Sequence, residues 1–168
     1  MTSPSTTIID SPIGPLQVSA EDGALTHVFM DAQRHAPPAS LSQSWREDRT
    51  ALAGVVEQLE AYFAGELTDF DLVLRPDGTP FQRAVWGALQ TVPYGETSSY
   101  GAIAAQIAHP NASRAVGQAN GRNPIAIIIP CHRVIGSAGS LTGYGGGLDR
   151  KQWLLAHERK VLEGRGAA

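Results

Sequence analysis

The residues best suited to chemistry in this 168-residue chain are Cys131 and His132, which stand side by side in the segment 130–134, Pro-Cys-His-Arg-Val. Cys131 is the only cysteine, so the thiol is either a buried packing residue or a nucleophile. An unassisted thiol is mostly protonated at neutral pH, so a nucleophilic cysteine needs a nearby base or a positive field. His132 and Arg133 could supply both if the fold turns them towards the sulfur. Residue types alone leave both interpretations open.

The segments on either side of this pair limit what it can do. An apolar run, residues 125–129, leads into it, and a glycine-rich stretch, residues 136–147, follows it. These glycines lack the spacing and the lysine of a phosphate-binding loop, so a phosphate cradle is not expected. They fit either a pliable wall around a flat ligand, with Tyr144 as its aromatic member, or a plain flexible loop.

The second half of the chain is predicted to be mostly helical. Residues 79–82, Thr-Pro-Phe-Gln, have the pattern of a capping box with proline at the first helical position. The helix that starts there has an apolar face formed by Phe81, Val85, Ala88 and Leu89. A last helix is predicted from about Asp149 to Lys160, with Glu158 near its end.

Two short helices lie between these elements, and their arrangement suggests a helix-turn-helix. The first carries Tyr100 and ends at His109-Pro110, and the second runs from about Ser113 to Arg122. Pairs of short helices are common, so the pattern alone does not establish DNA binding. The second helix has small residues around one protruding basic side chain, Arg114, a composition that suits a minor groove better than a major groove.

The first half reads as a small lobe of mixed structure without a chemical motif. Alternating residues from Leu16 to Phe29, with Asp22-Gly23 between them, predict a β-hairpin. Residues 31–48 look like a surface loop, and helical spacing begins at Thr50 and ends at Gly65. A strand is predicted over Phe70, Leu72 and Leu74, and residues 75–78 resemble a linker.

The fold class that follows is α+β. A small amino-terminal α/β lobe with a short antiparallel sheet precedes a mostly helical carboxy-terminal domain with a winged-helix-like helix-turn-helix. The predicted boundaries are 1–78 for the first domain and 79–168 for the second. The composition, 42% hydrophobic, is that of an ordinary globular protein.

Charge divides unevenly between the two halves. The net charge is -3, but residues 1–79 hold 12 acidic and 4 basic residues, whereas residues 80–168 hold 4 acidic and 9 basic ones. Only the second half suits a polyanion, although opposite charges could equally help two lobes to dock. The chain starts without a secretory signal and has no run long enough to span a membrane, and its lone cysteine suits a reducing compartment. We expect a cytoplasmic protein that does not contact membranes.

Taken together, these motifs resemble the O6-alkylguanine-DNA alkyltransferases. The resemblance covers residues 79–168 and extends to two amino-terminal motifs, residues 11–16 and 62–65. In the second half it rests on the motifs Arg114-Ala-Val-Gly117, Asn123-Pro124, Pro130-Cys-His-Arg-Val134, Gly143-Tyr144 and Leu154-Leu-Ala-His-Glu158.

The resemblance implies a role for each residue of the site. Cys131 would be the thiolate that takes the alkyl group from a flipped-out guanine, with His132 as its base through a water and Glu158 orienting the imidazole. Asn123 would brace the cysteine segment. Tyr100 would crowd the backbone phosphate, bond the base and donate a proton to the leaving guanine.

The same resemblance implies the residues that contact DNA and the damaged base. Arg114 would fill the space left in the base stack, and Tyr144 would lie over the base. The further DNA-binding residues implied are Ser113, Ala115, Gly117, Gln118 and Arg122, together with Tyr100. The further substrate-binding residues implied are Val134, Gly145 and Gly146.

The chain departs from the family pattern in two places. Some relatives have a serine after the loop tyrosine, whereas Gly145 offers only its backbone N–H. Other relatives bind a structural zinc through amino-terminal cysteines, which this chain lacks. We therefore expect no metal, and we expect no cofactor.

The expected reaction is a displacement at a saturated carbon, which needs no oxyanion hole. Its product is a thioether that water cannot readily hydrolyse, so each molecule should act once. The expected partner of this predicted monomer is double-stranded DNA bearing O6-alkylguanine, with O4-alkylthymine as a further candidate substrate.

Three other functions are compatible with parts of the pattern. A non-catalytic protein that binds or senses alkylated DNA would not need Cys131. A transcriptional regulator that senses alkylation at the thiol would need an additional domain. A Cys/His hydrolase gains no support from adjacent Cys131 and His132, because hydrolase triads assemble from distant segments.

Overall fold

Short alternating segments near the start of the chain form a four-stranded sheet in the computed structural model, which describes residues 3–31, 33, 35–136, 144 and 147–166. The strands are β1 (Ser5–Ile9), β2 (Leu16–Glu21), β3 (Ala24–Met30) and β4 (Arg46–Glu47). Their order is β3-β2-β1-β4, with β1 antiparallel to β2, β2 antiparallel to β3, and β4 parallel to β1.

The predicted hairpin is confirmed. Asp22 and Gly23 join β2 to β3 with φ angles of 51° and 80°, the left-handed pair that a tight hairpin turn requires. Leu16, Val18 and Val28 on these strands are fully buried. The sheet also contains β1, which the sequence analysis did not predict.

The predicted loop over residues 31–48 is wrong in part. It contains a short helix, α1 (Ala39–Ser42), and the two-residue strand β4. Both β4 residues are exposed, and their backbone rather than an apolar pattern joins them to the sheet: the Arg46 amide donates to the Pro4 carbonyl over 2.8 Å, and the Asp48 amide to Thr6 over 2.9 Å.

The helix predicted from Thr50 is α2 (Ala53–Phe63). It ends as the sequence predicts, because Gly65 adopts a left-handed φ of 79°. The Gly65 amide donates to Tyr62 and the Glu66 amide to Ala61, which is the Schellman arrangement. The apolar stripe of the helix is buried at Val55, Val56, Leu59 and Tyr62.

The strand predicted over Phe70–Leu74 is wrong. This segment keeps the alternation of half-buried and exposed side chains but forms only an isolated bridge, between Leu74 and Leu25. Val73 accepts a backbone hydrogen bond from Leu25 over 2.8 Å, and Leu25 accepts one from Arg75 over 2.8 Å. Alternation shows which side chains face inward, but a strand also needs backbone hydrogen bonds to its neighbour along its whole length.

The second half contains α3 (Pro80–Leu89), β5 (Ser98–Ser99), α4 (Tyr100–Gln106), α5 (Ser113–Gly121), a 3-10 turn (Cys131–Arg133), β6 (Val134–Ile135) and α6 (Leu148–Gly166). The predicted capping box of α3 is confirmed: the Gln82 amide donates to the Thr79 hydroxyl and the Thr79 amide to the Gln82 side chain. Phe81 is only half-buried, while Trp86, absent from the predicted face, is buried and donates its indole N–H to Ala119 over 2.9 Å.

The predicted helix-turn-helix is formed by α4 and α5, and α3 packs against both. Ala108 turns the chain out of α4 with a φ of 65°, and the His109 amide closes the helix end on Ala104 over 2.9 Å. The pair β5 and β6 is parallel, with Ser98 opposite Val134. This pairing ties the start of α4 to the chain just after Cys131.

The chain divides into two compact units, one formed by Met1–Asp77 with Pro124–Ala126 and the other by Gly78–Asn123 with Ile127–Ala168. The short segment joins the first unit through backbone hydrogen bonds from Val28 to Pro124 and from Ala126 to Val28. The assignment of separate tasks to residues 1–78 and 79–168 stays a prediction.

Candidate active site

Cys131 opens a 3-10 turn that two asparagine side chains hold in place. The Asn123 amide donates to the Ile129 carbonyl over 2.8 Å, and the Asn120 amide donates to the carbonyl of Cys131 itself over 3.3 Å. The backbone amide of Cys131 donates to Ile129 over 2.8 Å. The segment is therefore braced on both sides of the thiol, by Asn123 as predicted and by Asn120, which was not.

The thiol lies in a buried environment that its neighbours partly offset. Cys131 is 5% exposed, and burial raises the pKa of the thiol because it disfavours the thiolate. Hydrogen bonding from Asn123, the positive charge of Lys151 and hydrogen bonding from Tyr144 act in the opposite direction. A thiolate here depends on these neighbours and on a base.

His132 and Glu158 form a buried pair next to the thiol. His132 Nε2 lies 2.7 Å from Glu158 Oε2, and both side chains are withdrawn from solvent. Burial lowers the pKa of His132 more than Glu158 raises it, so the ring is neutral at pH 7. A neutral ring that donates from Nε2 leaves Nδ1 as an acceptor. That Nδ1 is buried and has no hydrogen-bond partner within the part of the chain that the structure describes.

Arg133 turns towards Glu158, so the structure does not bear out the possibility that it supplies the positive field at the thiol. Its Nε donates to Glu158 Oε1 over 2.8 Å and its Nη2 to Oε2 over 2.9 Å. Its Nη1 donates to the Val92 carbonyl over 2.9 Å, and its guanidinium lies 5.5 Å from the centre of the Tyr94 ring. Burial works to raise the pKa of Glu158, but hydrogen bonds and charges from His132 and Arg133 outweigh burial and hold that pKa well below its usual range.

A positive charge that acts on the thiol comes from Lys151 on α6. Its side chain is fully buried, and its Nζ donates to the Val134 carbonyl over 2.6 Å. Burial lowers the pKa of Lys151, and interaction with Cys131 opposes that shift.

The residues predicted to surround the base are described in part. Val134 is fully buried directly after the 3-10 turn. The side chain of Tyr144 is brought to Cys131, and burial raises the pKa of its hydroxyl well above the usual value. Gly145 and Gly146 lie outside the described residues.

The residues predicted to meet DNA lie along one surface of α5 and at its ends. Ser113, Arg114, Ala115, Gln118 and Arg122 are all exposed. Gly117 is half-buried because the Tyr100 ring packs over it, so that a Cβ there would lie 3.8 Å from the ring. Tyr100 is the first residue of α4, so it stands where the two helices meet. Five of the seven predicted DNA-binding residues are therefore exposed on α5 and at its ends, and Tyr100 and Gly117 pack together where α4 meets α5.

No group of three or more histidine, cysteine, aspartate and glutamate side chains with the geometry of a metal site occurs in the described ranges. Likewise, none of the described helices combines the length and apolar character needed to cross a membrane.

Comparison with known proteins agrees with this arrangement. Residues 80–160 match the family described as 6-O-methylguanine DNA methyltransferase, DNA binding domain, and residues 5–76 match its ribonuclease-like domain. The chain belongs to this family.

Relatives of high identity are named methylated-DNA–protein-cysteine methyltransferases. A methylated-DNA–protein-cysteine methyltransferase of Mycolicibacterium paratuberculosis is 61% identical over 152 residues, which cover 90% of each chain. One from Methanosarcina acetivorans is 53% identical over 152 residues, covering 90% of this chain and 96% of the relative. The crystal structure of Mycobacterium tuberculosis OGT in complex with DNA has a TM-score of 0.86 at 55% identity and covers 94% of both chains. The α+β fold expected from sequence is confirmed.

The sequence analysis did not predict two residues of this site, Asn120 and Lys151. A signal for Lys151 was present: it stands seven residues before Glu158 in α6, with Leu154 between them, and so shares the buried face of the helix. Asn120 is a polar residue directly after buried Ala119 and gives no comparable signal.

Proposed function

We propose that this protein repairs DNA directly, by taking the alkyl group of an O6-alkylguanine onto Cys131 in a single irreversible turnover. The observation that carries the proposal is the buried thiol beside His132, whose Nε2 is engaged by Glu158 and whose Nδ1 has no hydrogen-bond partner among the described residues. A buried acceptor without a partner costs free energy, so His132 Nδ1 calls for an explanation, and its use as the base for the thiol supplies one.

The reaction balances without a cofactor. The thiol proton passes to His132 Nδ1 through a water, and the sulfur attacks the alkyl carbon from the side opposite the guanine oxygen. The carbon–sulfur bond forms as the carbon–oxygen bond breaks, and the guanine leaves with the bonding electron pair. The guanine takes up a proton from Tyr100, the Tyr100 phenolate regains a proton from water, and the His132 imidazolium releases one to water, so the net change is exchange of an alkyl group for the thiol hydrogen.

The base must leave the duplex for this step. An O6-alkyl carbon inside the stack cannot present its back side to a thiol that is itself buried. Tyr100, where α4 meets α5, crowds the phosphate, and Arg114 on the exposed surface of α5 fills the vacated stack. The small residues Ala115 and Gly117 let the α5 backbone approach a narrow groove.

The pocket for the extruded base is formed around the 3-10 turn. Tyr144 lies over the base, and Val134 forms part of the wall beside it. Asn123 keeps the turn in position through its hydrogen bond to Ile129.

The turnover is single because of the bond that forms. A thioether has no activated carbonyl, so the base that serves a thioester hydrolase cannot regenerate this thiol. The protein acts as a monomer in the cytoplasm on double-stranded DNA bearing O6-alkylguanine, and O4-alkylthymine is a second substrate. Relatives named methylated-DNA–protein-cysteine methyltransferase, and one crystallised with DNA, support this proposal.

The test is the intact mass of the protein after incubation with duplex DNA containing O6-methylguanine. We expect one methyl group per protein molecule, located on Cys131 by peptide mapping, and an equal loss of O6-methylguanine from the DNA. Loss of several methyl groups per protein molecule would refute the single turnover. DNA binding without any change in mass would favour a protein that only binds or senses alkylated DNA.

Cys131→Ala is the matched control. We expect it to bind the duplex as tightly as the wild type, because the exposed surface of α5 is unchanged, and to gain no mass. A methyl group found on this variant would place the acceptor elsewhere.

A further inference from the structure

Arg133 makes more contacts to Glu158 than the proposed reaction requires. Its guanidinium bonds both carboxylate oxygens, at 2.8 and 2.9 Å, and its remaining contacts are to the Val92 carbonyl and the Tyr94 ring. Glu158 also bonds His132 and accepts the Gly95 amide over 3.2 Å. The Glu158 carboxylate is thus shared between His132, the base of the proposed reaction, and Arg133, which the reaction itself does not use.

We propose that Arg133 is a positioning residue for alkyl transfer: it keeps Glu158 ionised and thereby holds His132 in the tautomer whose Nδ1 can accept the thiol proton. The inference rests on the proposed function for its consequence in the reaction. Its geometric part, the tautomer of His132, stands without DNA.

The tautomer follows from which group donates in the His132–Glu158 hydrogen bond. An ionised carboxylate only accepts, so Nε2 carries the ring proton and Nδ1 is free to accept one. A protonated Glu158 could donate to Nε2 and leave the proton on Nδ1, where it would block transfer from the thiol. The side chain of Glu158 is fully buried, which by itself favours the protonated acid.

Arginine suits this task because it stays charged and is planar. A guanidinium remains protonated when buried and engages both oxygens of a carboxylate in one plane. Contact with the Tyr94 ring and the Val92 carbonyl fixes the direction of the guanidinium. These contacts hold the positive charge against both oxygens of Glu158.

The other ionisable groups near the pair do not replace this charge. Lys151 on α6 acts on both Cys131 and His132, and its field lowers the pKa of His132. Burial and the negative charge of Glu158 both raise the pKa of the Tyr94 and Tyr144 phenols, so these phenols stay neutral around pH 7. Arg165 acts on Tyr94. All of these groups are common to the wild type and to the variants below.

The first experiment is the pH dependence of the methyl-transfer rate for Arg133→Met. Removal of a positive charge raises the proton affinity of the His132–Glu158 pair, so the acidic side of the profile should move to higher pH by about one unit or more. Arg133→Lys keeps the charge and should stay close to the wild type. Arg159→Met, which removes an exposed arginine beside Glu158 in sequence, should also match the wild type.

A profile for folded Arg133→Met that coincides with the wild type would overturn the inference. So would an Arg133→Lys profile displaced as far as that of Arg133→Met, because that result would point to packing against Tyr94 and Val92 rather than to charge. Thermal unfolding of each variant identifies those that are folded.

The second experiment reads the tautomer directly by 15N-detected NMR of His132 in the free protein. We expect Nε2–H with unprotonated Nδ1 in the wild type and in Arg133→Lys, and a protonated Nδ1 in Arg133→Met. If Arg133→Met does not fold, Arg133→Lys decides: a protonated Nδ1 in that variant would overturn the inference, and the wild-type tautomer would support it.

The two proposals fail in different ways. Wild-type protein that takes no methyl group from DNA would refute the proposed function, whereas the NMR spectra need no DNA. A wild type that transfers methyl groups with Nδ1 protonated at pH 7 would refute the role of Arg133 and that of His132 Nδ1 as the proton acceptor, but not alkyl transfer to Cys131.

Discussion

Lys151 supplies the positive charge that, with hydrogen bonding from Asn123, favours the ionised form of the buried Cys131 thiol. Its ammonium is fully withdrawn from solvent and bonded to the Val134 carbonyl over 2.6 Å, so it stays next to the thiol. Burial raises the pKa of Cys131, and the positive charge of Lys151 lowers it. A buried charge interacts strongly because little water screens it.

We predict that Lys151→Gln raises the pKa of Cys131. Glutamine can still donate to the Val134 carbonyl but carries no charge, so the change isolates the field at the thiol. Alkylation of Cys131 by iodoacetamide should slow at least severalfold at pH 7, and about tenfold if the pKa rises by one unit. The pH dependence of the alkylation rate measures the shift, and a thiol pKa equal to that of the wild type would contradict it.

At this scale the sequence identifies the reacting residues better than their surroundings. Cys131, His132 and Glu158 belong to motifs that resemble a family, and the structure brings them together. The sequence left open whether Arg133 faces the thiol, and in the structure it bonds the buried carboxylate of Glu158 instead. Which of two acceptors an arginine takes depends on three-dimensional distances that sequence order does not contain.

The α5 helix separates the task of DNA contact from that of chemistry. Its exposed surface carries Arg114 and Gln118, while its buried surface carries Asn120, which bonds the carbonyl of Cys131 over 3.3 Å. One helix therefore reaches both the solvent side, where DNA is proposed to bind, and the thiol segment.

We predict that Arg114→Ala slows repair in duplex DNA by tenfold or more but reacts normally with a free O6-alkylguanine base. The proposed work of Arg114 is to hold the stack open, which a free base does not need, and flipping costs a few kcal/mol. Rates on both substrates, compared with Arg83→Ala on the exposed side of α3, provide the measurement. Equal slowing on both substrates would show that Arg114 has no role in flipping.

The turn at Gly95 positions the carboxylate of the active site. Gly95 has a left-handed φ of 78°, and its amide donates to Glu158 Oε1 over 3.2 Å. A Cβ at this position would collide with the Leu162 side chain of α6. Any other residue at position 95 would therefore suffer both backbone strain and a steric clash with Leu162.

We predict that Gly95→Ala lowers the free energy of unfolding by about 1–3 kcal/mol. Gly87 in α3 provides the matched control, because a Cβ there meets nothing within 4 Å and the position is exposed. Gly87→Ala should raise stability by about 0.5–1 kcal/mol, as alanine does in a helix interior. Urea denaturation of both variants decides the matter, and a Gly95→Ala variant as stable as the wild type would contradict the prediction.

Elements with strong local signals were predicted, and those held by distant backbone were not. The capping box at Thr79 and the turn at Asp22-Gly23 both specify their geometry within four residues. Strand β4 has two exposed residues and exists because its backbone meets β1, forty residues earlier. The segment Phe70–Leu74 has the right alternation but meets β3 at a single bridge, between Leu74 and Leu25.

For the molecule as a whole, the exposed charges bear on DNA binding, whereas the buried ionisable residues bear on stability. The second half holds 9 basic and 4 acidic residues, which suits the proposed DNA partner. Within that half, Arg133, Lys151 and Glu158 are buried, so the exposed basic residues are the ones proposed to meet DNA. The buried residues instead determine how stability responds to pH.

Stability should fall as the protein is acidified from neutral pH. Burial lowers the pKa of His132 below its ordinary 6.5, and Glu158 is held below its ordinary 4.5. In both cases the unfolded chain binds protons first, so the stabilisation present above the unfolded pKa is lost as pH decreases towards the folded pKa. His132 governs the loss below about pH 6.5, and Glu158 adds to it below about pH 4.5.

We predict that His132→Asn flattens this response between pH 7 and pH 5, because the variant has no ring to protonate on unfolding. Because the pKa of His132 is lowered in the folded chain, the part of the stability loss that comes from this ring should disappear in the variant. Burial also lowers the pKa of His27 in the first unit, so His27→Asn is the comparison: it should remove only its own part of the slope. Urea denaturation across this pH range measures both, and a His132→Asn slope as steep as that of the wild type would show that the ring is protonated equally in the folded and unfolded chains.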